Sequence, residues 1–262
     1  MPTPSRRSHA RILTLLALVT VLLAGAFTPT AHAASPVYSG PGWKALTKDS
    51  IYSLSPDPYT VVFANTTART RLAKYFKTPA IQVTRTVGVP ITVTSTIDTT
   101  PAGTCPTYHR IVVHYTHQPL GQRGMSSAWP CYRISDGSAW GGHLYMDSEY
   151  WEQPAWFSTN RTVNEAWRRD ISTHELGHML GLDHPNTDVD RDGKVEAQEC
   201  VRGAGGLKPI MCSPNRGLKV PTGPTGTRVP VAYNAMTAGS FTKAFDLPGL
   251  RQMLANYRLR QN

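Results

Sequence analysis

Acidic side chains are scarce in this chain of 262 residues, where 17 Asp and Glu stand against 27 Lys and Arg and the formal charge is +10. Such an excess of bases can draw acidic polymers or surfaces by long-range attraction. The bases are scattered rather than gathered in a block, and no nucleic-acid-binding motif is present, so solvated faces and no nucleic-acid partner are expected. Cysteine is also sparse. Cys105, Cys131, Cys200 and Cys212 include no CxxC pair, which argues against thiolate-held zinc. Long apolar runs are missing too: the one substantial stretch, residues 12–27, falls short of the roughly 20 residues needed to cross a bilayer. No membrane span is therefore expected.

That stretch has another use. Arg6, Arg7 and Arg11 precede it and Ala31-His32-Ala33 follows it, the order of a secretory signal with its small-residue cleavage site. Residues 1–33 are expected to direct export, leaving a secreted, extracellular chain of about 229 residues, enough for one domain with a hydrophobic core. The arginines of the signal leave with it, so the charge falls to about +7. An exported chain oxidises its cysteines, and of the three possible pairings Cys105 with Cys131 and Cys200 with Cys212 are expected. Residues 34–60, rich in Pro, Gly and Ser, read as an irregular lead-in or short processed segment. The domain is expected over 61–262, as a monomer.

The chemistry concentrates in His174-Glu175-Leu176-Gly177-His178-Met179-Leu180-Gly181-Leu182-Asp183-His184. Residues four apart share a helix face, so His174 and His178 can reach one ion at roughly 2.0–2.1 Å. Gly181 can take the left-handed conformation that ends a helix, folding the chain back to bring His184 to the same ion. Three protein ligands leave a fourth position of zinc open to water, whose pKa falls to roughly 7 there. Glu175 lies about one helical step from the first ligand and is placed to act as general base. The expected reaction is zinc-assisted hydrolysis of a peptide bond. A non-catalytic secreted protein, using the same cleft to hold a partner, is the competing reading.

This motif, with Pro209-Ile210-Met211-Cys212 downstream, resembles the metzincin clan of zinc metallopeptidases, and its Gly181-to-His184 run is most similar to the matrixin and snapalysin-like branches. The resemblance implies an α+β domain: an upper subdomain with a twisted mixed sheet and two long helices, a horizontal cleft, and a small lower subdomain ending in a helix. It implies that Met211 forms the turn beneath the zinc, with Met236 as a rival. It also implies that residues 141–147 form the edge strand of the cleft, so that Gly142, His143, Leu144 and Tyr145 would bind an extended protein or peptide substrate. Residues 213–230 would wall the specificity pocket. Snapalysins carry Asp where His184 stands, and Ser213 replaces a zinc-facing tyrosine seen in other branches, so no fifth ligand is expected.

Periodicity predicts a helix over 66–77 and strands over 81–87, 91–97 and 110–116. Thr162-Val163-Asn164-Glu165 reads as a capping box opening the motif helix, which should run to about Leu180. An apolar pattern over 241–257 predicts a last helix. His109, His114, His117 and His143 lack ligand-like clustering and are expected to be hydrogen-bonded or exposed. Between His184 and Met211, residues 188–199 match a twelve-residue calcium loop. Asp188, Asp190, Asp192, Glu196 and Glu199 offer carboxylates, Lys194 its carbonyl, and Gly193 the sharp turn. Calcium is expected to order this insertion.

Overall fold

The computed structural model describes residues 35–213 and 239–261. The signal expected at 1–33, Met236 and the pocket wall expected at 213–230, apart from Ser213, lie outside them. Within them the chain is α+β, with a mixed sheet and four α-helices. None of these helices is long and apolar enough to cross a membrane.

Residues 35–60 correct the expectation of a lead-in. They supply strands β1 (Ser39–Gly40), β2 (Trp43–Ala45) and β3 (Ser53–Leu54), and bury Trp43, Ala45, Leu46, Ile51 and Leu54. Apolar side chains spaced among Pro, Gly and Ser were enough to join the core, so the segment is ordered rather than irregular.

β4 (Tyr59–Phe63) leads into α1 (Thr66–Thr86), whose first turn is capped by Asn65 Oδ1 accepting from the Ala68 amide at 2.8 Å. The helix continues through Pro79, overturning the strand expected at 81–87. Leu72, Phe76, Pro79, Ala80 and Val83 share one buried stripe. Their burial offsets the helical hydrogen bond that proline forfeits and the low helix propensity of the β-branched run after it.

The strands expected at 91–97 and 110–116 form as β5 (Ile91–Ile97) and β6 (Arg110–Thr116). β7 (Ser127–Arg133) and β8 (Ser138–Asp147) complete the sheet. β5, β4, β6 and β8 lie side by side and parallel, β3 pairs with the start of β8, and β7 runs antiparallel along the other flank of β8. Parallel strands buried between layers read as continuous apolar runs. Ile111, Val112 and Val113 are such a run, all fully buried.

The short α2 (Glu149–Glu152) precedes α3 (Arg161–Met179). Asn160 caps α3, accepting from the Thr162 and Val163 amides, so the helix starts before the expected box. Glu165 is used elsewhere: its carboxylate takes Lys74 Nζ and Tyr75 Oη, both at 3.0 Å, joining α3 to α1. β9 (Leu182–Asp183) follows, and α4 (Asp246–Leu259) closes the fold, starting later than the apolar pattern because Phe241 and Phe245 are core residues ahead of the helix.

Candidate metal centre

Helix α3 presents His174 and His178 on one face. After Leu180 the chain turns at Gly181, whose φ of 90° belongs to the region glycine tolerates best. His184 is thereby returned to the other two. The three Nε2 atoms lie 3.0 to 3.2 Å apart. Two of the rings are oriented from behind: His174 Nδ1 faces Ile210 O at 2.8 Å, and His178 Nδ1 faces Leu182 O at 2.7 Å.

A carbonyl only accepts, so each of these Nδ1 atoms carries the proton and the corresponding Nε2 is a bare lone pair. Nε2 atoms without protons cannot hydrogen-bond one another. Their separation is close to the roughly 3.3 Å between two nitrogens each about 2.05 Å from a tetrahedral ion. The donor set therefore fits a divalent cation, and neutral imidazoles suit zinc, copper, iron and nickel alike. Burial and mutual repulsion push all three histidines down to about 3, which keeps them neutral at ordinary pH.

Glu175 follows the first histidine and is buried, and burial pushes its carboxyl up to about 8. It lines the same cavity of about 300 Å³ as His174, His178 and His184. One flank of this cleft is apolar and aromatic, with Met125, Tyr150, Trp156, Phe157 and Ile171, and Lys48 and Asp49 stand at another. No local pattern marks Tyr150, Trp156, Phe157 or Lys48 as cleft residues, because they come from α2, the loop after it and a turn near residue 48 that meet only in the folded chain.

The edge strand is the largest correction at the site. Gly142, His143, Leu144 and Tyr145 belong to β8, which is paired on both sides, by β6 and by β7. No backbone edge is left there for a substrate. Among the described residues β7 pairs with β8 alone, which leaves its other edge free, and Ser127 and Ala128 at its start line the cleft. Trp129 O and Cys131 N point at Gly142, so the backbone of Pro130 between them faces away from β8. Proline is tolerated on an edge strand in that orientation.

The cysteines pair as expected, Cys105 with Cys131 and Cys200 with Cys212. Met211 is fully buried beneath α3, and its turn is fastened by Asp246, whose carboxylate accepts from the amides of Ile210 (3.0 Å), Met211 (3.4 Å) and Thr242 (2.8 Å). Sequence reading missed Asp246, the single acid of the apolar pattern at 241–257, because its amide partners at Ile210 and Met211 lie far away in sequence. His114 Nε2 lies 2.9 Å from His143 Nδ1, and His143 Nε2 lies 2.8 Å from Thr104 O, so these rings are hydrogen-bonded.

In the insertion, the carboxylates gather as two overlapping trios, Asp188 with Asp190 and Glu199, and Asp190 with Asp192 and Glu196. Asp188 accepts from the amides of Arg191 and Gly193, and Asp192 from that of Lys194. Gly193 has a φ of 91°, the sharp turn expected of it. The loop is bound to the cleft: Gln198 N donates to Ser213 O at 2.7 Å and Ser213 N to Asn186 Oδ1 at 2.9 Å, and Ser213 lines the cavity.

No family model matches the chain, and no curated protein matches it.

Proposed function

We propose that this chain is a secreted zinc-dependent endopeptidase of metzincin type. The observation that carries the reading is the convergence of three Nε2 atoms, two of them left bare by the carbonyls behind their rings, on one point of a cleft whose wall includes the buried carboxyl of Glu175. Structural zinc sites are closed by four protein ligands; three ligands opening on a cavity suit a catalytic one.

His174, His178 and His184 would hold the zinc, which when bound supplies Lewis acidity toward a carbonyl oxygen and acidifies water. The remaining work falls to the chain. Glu175 accepts the proton of the attacking water and returns it to the leaving amine nitrogen, the role of a general base that becomes a general acid. The free edge of β7 offers backbone groups to an extended peptide, which aligns substrates of many sequences in one direction beside the histidines. Met211 supports α3 from below. The β7 edge takes the place assigned to Gly142, His143, Leu144 and Tyr145, which this reading drops as substrate-binding residues.

Calcium is the second metal in this reading. The twelve-residue spacing, the turn at Gly193 and the two carboxylate trios support it, since so many acids packed together repel unless a hard cation joins them. Export is supported by the amino-terminal signal pattern and by two disulfides, which persist in oxidising compartments.

The test is a fluorogenic peptide library with elemental analysis of the same preparation. The expected result is one zinc per chain and cleavage that a chelator abolishes and zinc restores. Stoichiometric zinc without turnover of any peptide would instead favour a binding protein.

A further inference from the structure

The turn that carries His184 is held by a segment more than a hundred residues away in sequence. β2 pairs Lys44 with Asp183 and Ala45 with Leu182, and the Leu46 amide donates to Gly181 O at 2.9 Å. Leu182 is also the residue whose carbonyl orients His178. Thus the two-residue strand that β2 holds straight fixes one metal-facing ring and leads directly into another. Asp183 reinforces the arrangement: its Oδ1 accepts from the His184 amide at 2.8 Å, and Lys44 and Lys48 lie 3.6 and 4.0 Å from its two oxygens.

The far end of the segment is tied to α4. Asn256, fully buried, donates from Nδ2 to Val37 O and to Tyr52 O, both at 2.7 Å, and accepts from Val37 N at 3.0 Å. Trp43 packs against the α-carbon of Gly249, where an added Cβ would stand 2.8 Å from Trp43 Cβ. His174 takes no part in this network, being oriented by Ile210 O on the opposite side.

We propose that residues 37–46 are a positioning latch of the metal centre. Docked, the segment sets two of the three histidines; released, it leaves His174 and Glu175 on an intact α3 while His178 loses its fixed carbonyl and His184 its fixed approach. The proposal rests on the zinc reading for the metal's identity. Its physical content is a coupling, and coupling is reciprocal: the factor by which docking raises zinc affinity is the factor by which zinc stabilises docking. A segment that only staples the fold would show neither effect.

Amide hydrogen exchange of the full chain, with and without one equivalent of zinc, tests this directly. Partners that orient a metal's ligands are typically worth roughly 10–100-fold in affinity. Zinc is accordingly expected to slow exchange at Leu46, whose amide donates to Gly181 O, by that factor, while the amide of Gly88 at the fraying end of α1 is unchanged. In competition titrations, Asn256→Ala is expected to weaken zinc binding by roughly 10–100-fold; Lys44→Glu should weaken it less, with Lys44→Arg restoring it. The exchange measurement needs no variant and stands even if Asn256→Ala fails to fold. Zinc bound at one per chain with unchanged exchange at Leu46 would overturn the latch and leave the peptidase reading intact. A wild-type chain that takes up no zinc would overturn both.

Discussion

Met211 lies so close beneath Gly177 that a Cβ added to the glycine would stand 2.3 Å from the Met211 sulfur. A glycine inside a helix costs roughly 1 kcal/mol relative to alanine, and here it admits the supporting turn between the levels of His174 and His178. Gly177→Ala is expected to destabilise the fold by roughly 1–3 kcal/mol through overpacking, despite alanine's better helix propensity. Denaturant titration measures it. Adding Met211→Ala should recover part of the loss; strictly additive effects would contradict the contact.

Replacing Glu175 separates chemistry from metal binding. Glu175→Gln is expected to lower kcat by about 10²–10⁴-fold, the usual contribution of a general base, with zinc content unchanged. Peptide turnover alongside elemental analysis checks both at once, and full activity in the variant would refute the assigned role.

Acid should destabilise the metal-free protein in a defined window. The three histidines sit at about 3 in the folded chain against roughly 6.5 when unfolded. Between these values the unfolded histidines bind more protons, so the contribution of the three rings to stability is full above about 6.5 and falls with pH until about 3. Melting temperatures in chelator should drop through this range. His184→Asn should make the drop shallower.

Asp246 is expected to matter as much as a larger core residue. Its carboxylate takes three amides and the Thr242 hydroxyl, and each buried donor left unpaired costs about 1–3 kcal/mol. Asp246→Ala should therefore lower unfolding free energy by several kcal/mol, to be read from chemical denaturation. A change within error would show that water replaces the carboxylate.

Calcium should raise the melting temperature of the zinc-loaded protein. A ligand at a hundred times its dissociation constant adds about 2.7 kcal/mol, and Asp188→Ala or Glu199→Ala should abolish that increment. No shift in the wild-type chain would reduce the insertion to a solvated loop.

Some of this was readable in advance because its causes are local. The i, i+4 spacing of His174 and His178 and the conformational freedom of Gly181 act within one turn, so the cluster of three rings was legible from eleven consecutive residues. β5 and β6 were legible because their alternating or β-branched runs stand between turn residues. The failures share an opposite character. The β-branched run at 81–87 read as a strand, but packing of Ala80 and Val83 against the core kept residues up to Thr86 helical. The edge strand was misplaced because the pairing of β8 on both sides is decided by β6 and β7, not by anything in residues 141–147.

By itself the sequence determined which side chains face one point and which carboxyl stands beside them, since helical period and a glycine turn are properties of neighbouring residues. Only the tertiary structure decided how those rings are held. Ile210 and Leu182 supply the orienting carbonyls, β2 braces the turn and β7 becomes the free edge. Every backbone carbonyl is chemically alike, so which one meets a given imidazole depends on long-range packing rather than on residue type.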